Sequence, residues 1–100
     1  MDNIESFKYF GIGTAKRKLA EKAKARRLAE NFTRETLAER SGVPAATIKR
    51  FESTGNASIE AILRIAFALG CLKGFDGLFP EKPVLGNNDL EIYERKRGRK

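Results

Sequence analysis

The segment FTRETLAERSGVPAATIKRFE, residues 32–52, carries the clearest local pattern in this 100-residue chain. Thr33 is a residue type that caps helix N-termini, and Gly42 is one that ends helices by adopting the left-handed conformation. Pro44 suits the first turn of a helix, because the backbone N–H that it lacks has no partner there. The segment therefore predicts a helix after Thr33, a tight turn at Gly42 and a second helix over residues 44–53.

The small and apolar residues of this segment predict how its two helices pack. Ala38 lets the helices cross closely, while Ile48 and Phe51 seat the second helix on the core. Helical periodicity puts Pro44 on the same side of that helix as Ile48 and Phe51. The opposite side has no reason to be buried, and it consists of Ala46, Lys49, Arg50 and Ser53. The pattern indicates a helix-turn-helix unit with a partly basic outer face.

Helical patterns continue on both sides of this unit. Residues 15–31 contain neither Gly nor Pro and are rich in helix-forming residues. Apolar residues recur every fourth position at Ala15, Leu19 and Ala23, and the next position on the same side is Arg27. Ser58 can cap a further helix that Gly70 ends. The apolar face of that helix is Ile59, Ile62, Leu63, Ala66 and Leu69.

We expect an all-α fold of five helices, the last of them short and covering residues 72–79. The composition divides the chain into three parts. Residues 1–13 form an aromatic N-terminal arm, residues 14–79 form the helical domain, and residues 80–100 form a polar, basic C-terminal tail.

The composition excludes several classes of function. The chain has no histidine, which is the commonest metal ligand and general base, and its single cysteine, Cys71, leaves no internal disulfide. The acidic pair Glu91 and Glu94 lies in the tail, without a pocket that would raise the pKa of either carboxyl group. We therefore expect no enzyme activity, no metal and no cofactor.

The charge and hydropathy of the chain indicate where it acts and on what. No apolar run approaches the roughly 20 residues needed to span a bilayer, and the N-terminus lacks the pattern of a signal peptide. We expect a cytoplasmic protein. The formal charge of +7 favours a polyanionic partner. Charge alone does not separate DNA from RNA or from an acidic membrane.

Residues 32–52, followed by SIEAILRIAFALG at residues 58–70, resemble the lambda-repressor and Cro-like (XRE) helix-turn-helix family. The resemblance covers roughly residues 15–79 and implies a compact five-helix lambda-repressor-like domain whose third helix reads bases in double-stranded DNA. It also implies a transcriptional regulator, a repressor in the commonest case, that binds a palindromic operator as a homodimer.

The resemblance assigns DNA-contacting residues position by position. Those that face base edges are Ala45, Ala46, Thr47, Lys49 and Arg50. Those that face phosphates are Thr33, Arg34, Thr54 and Asn56. The alternative for Lys49 and Arg50 is that they lie on an ordinary solvated helix face. The alternative for Thr33 is that it only caps a helix, and for Thr54 and Asn56 that they only form the turn. Because Ala45 and Ala46 offer no hydrogen bonds, we expect specificity to depend on Lys49, Arg50 and DNA shape.

The resemblance also implies a structural ion pair between Arg27, late in the first helix, and Glu52, at the end of the third. Direct phosphate contact by Arg27 is the alternative. The basic residues of the tail are either a solubilising run or a DNA-binding arm, and they are Arg95, Lys96, Arg97, Arg99 and Lys100. Phe67 predicts either extra core packing or a dimer or partner surface.

Two further functions stay open at this point. Residues 48–70 and the basic tail are similar to antitoxins of the HipB type. Such antitoxins repress their own operon and bind a kinase-like toxin of the HipA type. A non-specific nucleic-acid or protein adaptor on the same fold is the other alternative.

Overall fold

A computed structural model describes residues 10–81 of the chain. These residues form α1 (Ile12–Ala29), α2 (Arg34–Ser41), α3 (Ala45–Thr54), α4 (Ile59–Ala68) and a short 3₁₀ helix (Leu72–Gly77). No strand occurs within the described residues, so the predicted all-α class is confirmed. Within residues 10–81, the length and hydropathy of the helices do not meet what a membrane-spanning helix requires.

The helix ends follow the local chemistry of the sequence. The backbone N–H of Thr36 donates to the Thr33 hydroxyl at 3.0 Å, and that of Ala61 donates to the Ser58 hydroxyl at 3.0 Å. Gly42 closes α2 in the left-handed conformation with φ of 77°. The predicted caps of α2 and α4 are therefore confirmed.

The bounds of α3 differ slightly from the prediction. Pro44 precedes the helix as its N-cap, with ψ of 144°, and does not occupy the first turn. Its carbonyl oxygen accepts the first helical hydrogen bond, from Ile48 N–H at 3.1 Å. The helix continues through Thr54 and ends at Gly55, whose φ is 79°.

The core lies where α2, α3 and α4 meet, with α1 packed across α3. The most deeply buried large side chains are Leu37, Ile48 and Phe51, each 1% exposed. The remaining buried hydrophobic residues of this cluster are Ala20, Val43, Ile65 and Leu69. Ile48 and Phe51 thus hold α3 by one side.

The predicted stripe of α1 is wrong in part. Ala15 and Leu19 are exposed and Ala23 is half-buried, whereas the buried residues of the helix are Ala20 and Arg27. These two lie two helical turns apart on the strip that faces the rest of the domain. A helix composed largely of Ala and basic residues has no dominant apolar side, so its neighbours decide which strip is covered.

The apolar face of α4 differs from the prediction at its first residue, whereas Ile62 and Leu63 are half-buried and Ala66 and Leu69 are buried, as predicted. Ile59 is 63% exposed, and Ile65 is buried in its place beside Ala66 and Leu69. Phe67 is 71% exposed, so the expectation that it adds to core packing is wrong.

Gly55 marks the closest approach between α1 and the end of α3. A Cβ atom at this position would lie 2.9 Å from the Cβ of Lys16 and 3.0 Å from the Lys16 carbonyl oxygen. The positive φ of Gly55 independently disfavours other residues. The N-terminal half of α1 therefore passes in contact with the C-terminal end of α3.

Candidate nucleic-acid interface

Helix α3 has one side in the core and the other in solvent. Ile48 and Phe51 fill the core, and the four residues of the opposite side are all exposed: Ala46, Lys49, Arg50 and Ser53. Within residues 10–81, neither Lys49 nor Arg50 forms an ion pair. The outer face of α3 thus carries two cations that the fold itself does not use.

The other residues assigned to base contact are less accessible. Ala45 and Thr47 are half-buried, and both flank the exposed strip. The Ser53 hydroxyl donates to the Lys49 carbonyl oxygen at 2.8 Å, which occupies its proton within the helix. Hydrogen-bond donors on this face are therefore concentrated in Lys49 and Arg50.

A buried ion pair fixes α3 to α1. The Nε of Arg27 donates to Glu52 Oε2 at 2.8 Å and its Nη2 donates to Oε1 at 3.1 Å. Its Nη1 donates to the Phe32 carbonyl oxygen at 2.9 Å. The Arg27 and Glu52 side chains are 6% and 3% exposed. The pair implied by the family resemblance is present, and it leaves Arg27 inside the domain.

Arg34 joins the same carboxylate, which the sequence reasoning did not foresee. Its Nε donates to Glu52 Oε1 at 3.0 Å, and its side chain is 34% exposed. No other hydrogen bond of Arg34 occurs within the described part of the chain, so its terminal nitrogens stay available. Glu52 thus pairs with two arginines from different helices. The resemblance predicted only its pair with Arg27, because spacing along the chain does not show that α2 brings Arg34 to the same carboxylate.

The two arginines decide the ionisation of Glu52. Burial raises the pKa of the Glu52 carboxyl, but the hydrogen bonds and positive charges of Arg27 and Arg34 lower it by more, so the net pKa lies below its ordinary value. Glu52 is therefore ionised at neutral pH, and the network retains one positive charge in excess.

The residues assigned to phosphate contact separate into two groups. The hydroxyls of Thr33 and Thr54 are already used: Thr33 caps α2 and donates to Thr36, and Thr54 donates to the Arg50 carbonyl while accepting from Asn56 N–H. Arg34 and the Asn56 side chain make no such complete set of bonds in residues 10–81. The turn and capping alternatives thus describe Thr33 and Thr54 in the structure.

A cleft lies at each end of α3. The first, called the Arg34 cleft, is at the N-terminal end and is lined by Thr33, Arg34, Glu35, Ala45, Ala46 and Lys49, with Arg27 behind them. The second, called the Arg17 cleft, is at the C-terminal end and is lined chiefly by Lys16, Arg17, Glu21, Ser53, Thr54 and Gly55. The sequence reasoning missed Lys16 and Arg17, although the basic run of α1 marked them.

Some predicted site residues lie outside the described range. They are the tail residues Arg95, Lys96, Arg97, Arg99 and Lys100. Among residues 10–81 no cluster of three or more Cys, Asp or Glu side chains is arranged to hold a metal ion.

Comparison with known proteins gives one match. Residues 24–72 match the family model described as helix-turn-helix. The match runs from the second half of α1 to the start of the 3₁₀ helix and includes α2, α3 and α4. No curated protein matches the chain, and no solved structure matches it. Residues 24–72, just under half of the chain, are therefore similar to the helix-turn-helix family.

Proposed function

We propose that this protein is a sequence-specific regulator of transcription that binds double-stranded DNA by inserting α3 into the major groove. One observation carries the proposal: Lys49 and Arg50 project, without ion-pair partners in residues 10–81, from a helix whose other side is anchored by Ile48 and Phe51. A major groove is wide enough to admit such a helix.

The outer face of α3 supplies both kinds of base contact. Lys49 and Arg50 can donate to O6 and N7 of guanine, and the exposed methyl group of Ala46 can pack on the methyl group of thymine. Ala45 and Thr47 are half-buried and so contribute through close packing at the edge of the interface. Direct readout thus depends mainly on Lys49 and Arg50.

Phosphate contacts position the helix. Arg34 lies in the first turn of α2, its terminal nitrogens make no hydrogen bond within residues 10–81, and its Nε bond to Glu52 of α3 holds the guanidinium in place. Asn56 is exposed in the turn after α3. We assign phosphate contact first to these two residues, since contacts of this kind set the register of a protein on the duplex.

Repression from a palindromic operator requires a homodimer, and the exposed Phe67 supports one. A phenylalanine that is 71% exposed on α4 is the type of residue that anchors protein interfaces. The HipB-type alternative uses the same side chain, and it differs in predicting a stable complex with a HipA-like kinase toxin.

The test is selection of duplex DNA from a random library, followed by binding measurements on the selected site. We expect Lys49→Ala and Arg50→Ala each to weaken the selected site by about 1–3 kcal/mol and to relax the preference at particular base pairs. Lys73→Ala removes the same charge from the 3₁₀ helix and is the matched control. If both α3 variants keep the wild-type base preference, the assignment of α3 to the groove is wrong.

A further inference from the structure

Helix α1 carries more positive charge than the fold uses. Arg26 pairs with the exposed Glu30 and Arg27 pairs with Glu52, but five other cations are exposed and form no ion pair within residues 10–81. These five are Lys16, Arg17, Lys18, Lys22 and Lys24. Glu21 is the one acidic residue within Ile12–Ala29. Such a helix is suited to a polyanion.

Only part of this charge lies beside α3. Lys16 and Arg17 line the Arg17 cleft together with Ser53 and Thr54 from the last turn of α3. The contact between Lys16 and Gly55 fixes this part of α1 against the end of α3. Lys18 and Lys22 lie on the opposite side of α1, where Lys22 borders the groove lined by Ile62 of α4.

The donors available to a ligand in the Arg17 cleft come from α1. The hydroxyls of Ser53 and Thr54 donate to backbone carbonyls of α3, and Gly55 N–H donates to the Phe51 carbonyl. Glu52 is saturated by Arg27 and Arg34. The Lys16 ammonium and the Arg17 guanidinium are thus the groups that would hold an anion, with Glu21 opposing them at the rim.

The two clefts adjoin at Glu52, which lines the Arg17 cleft and accepts a hydrogen bond from Arg34 at 3.0 Å, and the Arg17 cleft lies against the last turn of α3. A helix of 10 residues is about 15 Å long, and the major groove is about 12 Å wide between its two sugar-phosphate walls. When the exposed face of α3 enters the groove, the last turn of the helix therefore comes close to a sugar-phosphate wall, and Lys16 and Arg17 lie beside that turn.

We propose that the Arg17 cleft is a second phosphate site, at which Lys16 and Arg17 bind the DNA backbone beside the last turn of α3. This inference rests on the proposed function, because it places the cleft relative to a duplex bound by α3. It extends the DNA-binding surface to the N-terminal half of α1, beyond the turn and recognition helix.

The test compares two double variants that remove equal charge from the two sides of α1. Lys16→Gln/Arg17→Gln removes the cleft cations and keeps the Cβ of Lys16 that contacts Gly55, while Lys18→Gln/Lys22→Gln is the matched control. Binding of the selected duplex is measured by fluorescence anisotropy between about 50 and 200 mM salt. Each lost phosphate contact reduces the slope of log K against log salt by about 0.9, so we expect a reduction of roughly 1.8 in the cleft variant. The control is expected to change the slope far less.

Three results separate this inference from the proposed function. Equal slope changes in the two variants would show a general charge effect and overturn the second site. An unchanged slope in the cleft variant, with base preference intact, would also overturn it and leave the proposed function standing. Failure of the wild-type chain to bind duplex DNA would overturn both. Glu21→Gln adds an independent readout, because removing the opposing carboxylate should tighten binding if a phosphate sits there. Thermal unfolding of each variant verifies that the fold is retained.

Discussion

Replacing Glu52 with glutamine isolates the contribution of the buried network that holds α3. The carboxylate accepts two hydrogen bonds from Arg27, at 2.8 and 3.1 Å, and one from Arg34 at 3.0 Å. A glutamine amide keeps the shape but turns an N–H₂ group toward guanidinium donors and leaves Arg27, 5% exposed, without its counter-charge.

Removing one partner of a buried ion pair costs about 3–5 kcal/mol. We expect the lower end of this range, about 3 kcal/mol, because Arg34 is partly exposed and can turn to solvent. Domains of this size have a total free energy of unfolding of about 5–15 kcal/mol. The loss corresponds to a fall in Tm of roughly 12–24 °C, at about 4–8 °C per kcal/mol.

The assay is urea unfolding followed by far-UV circular dichroism, with Glu60→Gln as the matched control. Glu60 also pairs with an arginine, Arg64 at 3.0 Å, but its side chain is 71% exposed. A surface pair contributes little, so this control should unfold close to wild type. If Glu52→Gln and Glu60→Gln have the same midpoint, the network does not stabilise the domain and the reasoning is refuted.

The stability that Glu52 contributes depends on pH. Because the pKa of Glu52 is lowered in the folded state, its stabilising contribution is present above the ordinary pKa of 4.5 and is lost as pH falls through the folded value. The difference in stability between wild type and Glu52→Gln should therefore be constant near neutral pH and shrink below about pH 4.5.

Two further substitutions test the packing of α1 and the exposed aromatic. Gly55→Ala should destabilise the domain by about 1–3 kcal/mol, since the new Cβ meets Lys16 at a residue with φ of 79°. Gly74→Ala is the control in the same urea assay, because a Cβ at Gly74 meets nothing within 4 Å. Equal stability of the two variants would contradict the close crossing of α1 and α3. Phe67→Asp should weaken the proposed self-association in sedimentation equilibrium while leaving the unfolding midpoint of the domain nearly unchanged. Equal self-association of Phe67→Asp and wild type would exclude Phe67 from an interface.

The parts of the fold that the sequence predicts well are those decided within a few residues. Thr33, Gly42 and Ser58 act on their own helix ends, and Ile48 and Phe51 share one side of α3 whatever surrounds it. The exposure of Lys49 and Arg50 follows from the same periodicity. The outer face of the candidate site could therefore be predicted before the fold was known.

The parts that could not be predicted depend on contacts between distant segments. Ala20 is buried and Leu19 is 37% exposed because α3 covers one strip of an Ala-rich helix with no preferred apolar side. The Arg17 cleft exists only because α1 crosses the chain at Gly55, about 40 residues later in the sequence. Likewise, the bond from Arg34 to Glu52 requires α2 and α3 to be placed first.

The guanidinium of Arg27 has a mechanical consequence for the encounter with a duplex. One planar group ties α1 to the Phe32 carbonyl in the following turn and to Glu52 in α3, which restrains these three segments against one another. In the proposed complex, a protein restrained in this way would leave adjustment mainly to the nucleic acid, by bending or by a change in groove width. Base pairs that no side chain contacts would then influence affinity, because deforming a flexible base step costs less energy than deforming a stiff one.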